Sequence, residues 1–120
     1  MDVTRAIAAM KAEPGFSEKV GMILIHCGMV RGRSRKDGKH VQPIDVAVDA
    51  QKLKRLQKLY TKKPEIYKVL IECNEGRLQP GDDLLFIVVA RDIRDHVKPV
   101  LSELLDLIKS EVVNKTEISV

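Results

Sequence analysis

Seven consecutive apolar residues, Leu84-Leu85-Phe86-Ile87-Val88-Val89-Ala90, constrain this chain more than any other feature. A run this short and this rich in β-branched side chains reads as a strand buried on both faces, although periodicity alone leaves a buried helical segment open. It is far too short to span a bilayer. Ahead of it, Pro80-Gly81 marks a turn, because proline pre-sets φ and glycine accepts positive φ. Behind it, the polar block 91–95 leads into a helix whose apolar residues recur every three or four positions: Val97, Val100, Leu101, Leu104, Leu105, Ile108 and Val112. Pro99 falls near the first turn, where proline is tolerated. Lys109 lies roughly 100° from the centre of that stripe, at its border with the polar face. A lysine there loses hydration and becomes a better proton donor or acceptor; the alternative is a side chain that snorkels to water.

The remainder of the chain is built from the same signals. Residues 3–12 predict a short helix ended by Pro14-Gly15. Residues 20–30 predict a strand covered on both faces, with Gly28 marking a bulge or a close backbone approach. His26 within it reads as a satisfied, partly buried histidine, or alternatively as a pocket-lining one. Val41 to Val48 reads as an edge or irregular strand because of Pro43. Asp49 to Tyr60 reads as a helix with Leu53, Leu56, Leu59 and Tyr60 inward, and Lys52, Lys54, Arg55 and Lys58 on a solvated outer face. After Pro64, Ile66 to Cys73 predicts a strand with Tyr67, Val69 and Ile71 on one face, followed by a hairpin through Glu75-Gly76. Interleaved helices and hairpins indicate an α/β or α+β two-layer sandwich forming a single domain over residues 1–120.

With 44% apolar and 32% charged residues the composition is that of an ordinary soluble domain. The N-terminus shows no signal-peptide pattern, so a cytoplasmic location is expected, without a membrane partner. Cys27 and Cys73 have no metal-type spacing and read as reduced, buried thiols; a disulfide between them is the alternative. The net charge of +4 is matched by one stretch, residues 31–39, which holds Arg31, Arg33, Arg35, Lys36 and Lys39 against Asp37. That stretch is either a solvated basic loop or an anion-binding one.

No glycine-rich phosphate loop, metal cluster or serine–histidine–aspartate spacing stands out. His26, His40 and His96 are scattered, and His96 reads as a surface residue. The cations of the 31–39 loop, with Arg91, Arg94, Lys98, Lys109 and Lys115, suit a small anionic ligand such as a phosphate or carboxylate. Nucleic acid is disfavoured as a partner. Aromatic residues make up only 3% of the chain, most fall at core positions, and no docking-helix motif is visible.

Two glycine motifs carry a family resemblance. Gly21-Met22-Ile23-Leu24-Ile25-His26-Cys27-Gly28-Met29-Val30-Arg31 resembles the apolar-strand-G-x-V-R opening of the large, catalytic subunits of molybdopterin synthases. Gly76-Arg77-Leu78-Gln79-Pro80-Gly81-Asp82 is similar to that family's G-x-L-x-x-G-D hairpin. The resemblance runs from about Pro14 to Thr116. It implies an α/β hammerhead-like mixed sheet with flanking helices, and a homodimer within a heterotetramer. It also implies molybdenum cofactor biosynthesis with no bound cofactor. A small ubiquitin-like sulfur-carrier subunit delivers a thiocarboxylated tail, and its sulfur passes to cyclic pyranopterin monophosphate, forming molybdopterin.

By position, Lys109 matches the family's catalytic lysine. Arg31 and Arg94 match arginines that bind the anionic substrate, and Lys115 stands one residue before the place of a second pocket lysine, which falls on Thr116. His26 and Leu105 are candidates for pocket lining. The histidine that precedes the family's second arginine is Ile93 here. A catalytically degenerate relative that holds an anionic ligand or a carrier tail is the alternative. Arg94 and Lys109 are fifteen residues apart on one helix, about 22 Å along its axis. If both serve one pocket, Arg94 must come from a second protomer.

Overall fold

The computed structural model describes residues 2–31, 43–92 and 94–117, and the side chains of residues 94–98, 116 and 117 lie outside that description. The basic stretch beyond Arg31, with His40 and Val41, and Ile93 also fall outside the described residues.

The apolar run forms β5 (Asp83–Arg91), and residues 84–90 are all buried. Its two faces enter two cores. Leu85, Ile87 and Val89 point into the larger cluster, while Phe86, Val88 and Ala90 join Met10 in a smaller one. Each large side chain removed from water in this way contributes roughly 1.5–3 kcal/mol. β5 is the centre of an antiparallel sheet between β1 (Met22–Met29) and β3 (Lys68–Cys73).

The smaller cluster is closed by α1 (Val3–Lys11) and α2 (Phe16–Lys19). Asp2 caps α1 by accepting from the Arg5 amide. Gly15, at φ 85°, supplies the left-handed turn into α2, a one-turn helix too short to leave a periodic signal. Glu13 pins this corner to β3, accepting from the Tyr67 hydroxyl at 2.8 Å and from the Lys68 ammonium. Tyr67 therefore packs in the smaller cluster with Leu70 and edge-on to Phe16, not on the face of Val69 and Ile71.

The larger cluster lies between the other face of that sheet, α3 (Ala50–Thr61), α4 (Arg94–Leu107) and a second antiparallel sheet. In the second sheet β2 (Ile44–Val48) is central, between β4 (Gly76–Leu78) and β6 (Val113–Glu117). This corrects one expectation. β2 is a central strand, because Pro43 stands just before it and removes no ladder bond. The hairpin read through Glu75-Gly76 is present, since β3 pairs antiparallel with β5 up to Cys73 opposite Leu85, and its connection carries β4, which leaves the first sheet to pair with β2.

The α+β class is as read, with the strands sorted into two antiparallel sheets. Between α4 and β6 the chain forms a π-helical turn, Ile108–Val112, which the α-helical period does not foreshadow. Among the described residues no helix is long and apolar enough to cross a membrane.

β1 is the other correction. Its α4-facing side is covered, but Ile25, Cys27 and Met29 are exposed on or beyond the opposite side, because the short N-terminal helices reach Ile23 and stop. Cys27 is thus not buried, whereas Cys73 packs against the larger cluster and burial pushes its thiol up to about 11. Cys27 pairs across from Phe86 and Cys73 from Leu85 on opposite sides of β5. Two strand spacings, about 10 Å, exceed the reach of a disulfide.

Candidate functional site

The two glycine motifs meet through the backbone. The Gly81 amide donates to the Val30 carbonyl at 2.8 Å, and the Val30 amide donates to the Asp82 carbonyl at 2.9 Å. The turn that makes this possible needs Gly81 at φ 94°, where a side chain would be strained. Asp82 closes the same turn, its carboxylate accepting from the Gln79 amide at 2.8 Å. Gly28 contributes as read: the β1–β5 register shifts between Gly28 and Met29, a bulge that turns the end of the strand. Arg31 follows immediately, exposed, at a position fixed by the clamped Val30.

His26 sits three residues before the bulge, opposite Ile87, so it faces the α4 side of the sheet. It is half-buried, and burial lowers its pKa below the ordinary histidine value of 6.5; the nearby Lys109 ammonium adds to the effect. Both effects favour the neutral imidazole over the protonated one. Of the residues singled out in the sequence, His26 and Lys109 stand near enough for the ammonium to disfavour protonation of the ring.

Lys109 projects from the π-helical turn between buried Ile108 and Val112. Its side chain is exposed, not at a dehydrated border, because the wider turn swings it off the α-helical stripe. It lines an open cleft of about 700 Å³, bounded by residues 47–49 and 109–114. Asp49, Glu111 and Asn114 share the cleft and were not singled out in the sequence. Asp49 carries a legible signal as the N-cap of α3: its carboxylate accepts from the Lys52 amide at 3.1 Å, and its own amide donates to the Val112 carbonyl at 2.9 Å. That second bond ties the start of α3 to the turn carrying Lys109. Cation and carboxylates side by side can bind a polar ligand and move a proton.

The other candidates lie apart. Leu105 is half-buried against the larger cluster and does not line the cleft. Lys115 is exposed on β6 opposite Val46 and does not line the cleft; Thr116 follows opposite Asp45, its side chain outside the described residues. Arg94 opens α4 with its side chain outside the described residues, as is that of Lys98. Arg91 is committed elsewhere, paired with Asp92 at 2.7 Å and donating to the Pro64 carbonyl at 2.9 Å. Among the described residues, no three His, Cys, Asp or Glu side chains gather to hold a metal.

Comparison with known proteins places this geometry. The family model described as MoaE protein matches residues 1–111. No curated protein matches the sequence. Among solved structures, molybdopterin synthase from Staphylococcus aureus superposes with a TM-score of 0.77 at 18% identity, over 98% of this chain and 85% of that one. A molybdopterin biosynthesis MoaE protein from Burkholderia ambifaria gives 0.77 at 21%, over 99% and 78%. The complex of subunits 1 and 2 of molybdopterin-converting factor from Helicobacter pylori gives 0.69 at 12%, over 97% and 78%. At such identities the superpositions speak for the fold; the family match speaks for descent.

Proposed function

The chain belongs to the MoaE protein family, a family of molybdenum cofactor biosynthesis, and on that premise we propose that it is the large subunit of a molybdopterin synthase. In this reading residues 1–120 act as one domain in the cytoplasm. They accept sulfur from the thiocarboxylated tail of a small ubiquitin-like subunit and pass it to cyclic pyranopterin monophosphate. A small-subunit partner is supported by the fold shared with the two-subunit complex of Helicobacter pylori.

The observation that carries the reading is the place of Lys109, which lines the cleft and stands near enough to His26 to act on its titration. Lys109 offers an ammonium that polarises the thiocarboxylate carbonyl or assists release of the ring oxygen. A neutral His26 leaves that charge unopposed by a second cation. Arg31, set beside the glycine clamp, offers a bidentate donor to the substrate phosphate. Lys115, next along β6 after the cleft residue Asn114, adds a cation beyond the cleft, and Arg94 adds one from a second protomer of a homodimer inside a heterotetramer. The exposure of Lys109 in one chain fits a pocket finished by other subunits.

The test is single-turnover molybdopterin formation from the pterin precursor with a thiocarboxylated small subunit. Wild type forms product. Lys109→Ala loses at least 100-fold in rate, the scale of one general acid–base or electrostatic group, while folding survives. No product from wild type, with the carrier still bound, returns the chain to the role of a binding module.

A further inference from the structure

The outer face of α3 is strongly basic. From Ala50 to Lys63 the chain holds six cations and no acid. Lys52, Lys54, Arg55, Lys58 and Lys62 are all exposed, and among the described residues none of them makes an ion pair. Leu59 stands among them at 59% exposure, which corrects its placement on the inward stripe with Leu53, Leu56 and Tyr60. At 100° per residue Leu59 lies about 100° from Tyr60, which is buried, and shares its side of the helix with Lys52, Arg55 and Lys62. An exposed leucine among unpaired cations offers an apolar contact inside a charged, solvent-accessible rim.

We propose that this face of α3 docks an acidic surface of the small carrier subunit, with Leu59 entering an apolar pocket on that partner. The inference rests on the function proposed above and adds to it where the partner's body sits. α3 begins at the reaction cleft, since Asp49 caps the helix and lines the cleft. Its twelve residues extend about 18 Å from there. A globular domain that threads its tail to Lys109 is wide enough to overlie that length. The free cations raise the association rate of an acidic partner by long-range steering.

Other anionic surfaces fit less well. The apolar side of α3 is spent on the core, leaving a single leucine for a membrane. A nucleic acid gains nothing from Leu59 and finds no exposed ring to stack on, since Tyr60 and Phe86 are buried and Phe16 and Tyr67 pack on each other.

The experiment measures binding of the small subunit from the same source organism, in its carboxylate form, by calorimetry and stopped-flow across a salt series. Leu59→Ser is expected to weaken binding about tenfold with little change in salt dependence. The triple variant Lys52→Glu, Arg55→Glu, Lys62→Glu is expected to slow association at least tenfold at low salt and to flatten the salt slope. Lys11→Glu with Lys19→Glu, exposed cations at the N-terminal corner, is the control and leaves both unchanged. Circular dichroism confirms that each variant folds. Equal binding by wild type and the α3 variants overturns the docking face while leaving the carrier as partner. Absence of binding by wild type overturns both. If a 20-mer RNA binds instead and only that binding is lost in the triple variant, the face belongs to nucleic acid and the proposal fails.

Discussion

A Cβ on Gly21 would lie 2.1 Å from the Asp92 carbonyl oxygen, where the start of β1 meets the end of β5. The Gly21 amide already donates to the Arg91 carbonyl at 3.0 Å, so neither backbone can retreat without breaking the sheet. Gly21→Ala is expected to cost about 1–3 kcal/mol, the range for forced overpacking, in urea denaturation. Gly28→Ala, whose nearest neighbour would be the His26 ring at 3.5 Å, should cost far less; the reverse order would refute the packing argument. Both glycines stand in the motif, yet only Gly28 drew attention in the sequence. A close approach to a residue seventy positions away leaves no local trace.

His26 carries a prediction of the same scale. Its pKa is lowered first by burial and then by Lys109, so the fold favours the neutral ring. Its contribution to stability is therefore complete above 6.5 and is lost as pH falls below that value toward the folded-state pKa. In Lys109→Ala the His26 titration, followed by NMR of the ring protons, should move upward but stay below 6.5, since burial persists. An unmoved titration would separate the two residues and remove the electrostatic basis of the site.

At the scale of elements, what was legible is what is encoded locally. The apolar run gave β5, the three-and-four spacing gave α4, and Asp49 with the following leucines gave α3. What was not legible depends on partners. β6, read Val-Asn-Lys-Thr-Glu, has little apolar pattern and exists as a strand because β2 supplies its ladder. β4, three residues within the connection between β3 and β5, has no strand signal of its own and exists because β2 pairs with it.

The tie between α3 and α4 is equally non-local. The buried Tyr60 donates its hydroxyl to the Glu103 carboxylate, while the Lys63 ammonium lies 4.8 Å over its ring. Burial and that carboxylate push the phenol up to about 12. Tyr60→Phe should lower stability by about 1 kcal/mol, the net worth of one such bond, with the ring still filling its site. An unchanged urea midpoint would mean that the two helices are held by apolar contact alone.

For the whole molecule the decisive geometry is the length of α4. Arg94 opens the helix and the turn bearing Lys109 follows its end, so the two backbones stand about 20 Å apart. No small pterin spans that distance, and two residues of one rigid helix cannot be folded toward each other. A site using both must therefore draw them from two chains related by a two-fold axis, each chain lending its Arg94 to the other's Lys109. This argument was available from the sequence, because it needs only a helical rise; the surface that brings the chains together was not. Arg94→Ala and Lys109→Ala should each be inactive alone. Mixed in equal amounts and allowed to exchange subunits, they form hybrids in half of the dimers, and one of the two sites in each hybrid keeps both residues. Single-turnover activity should then return to about a quarter of wild type, the statistical share of intact sites in a closed two-fold dimer. If arginine and lysine instead act from the same chain, every hybrid site lacks one of them, and mixing restores nothing.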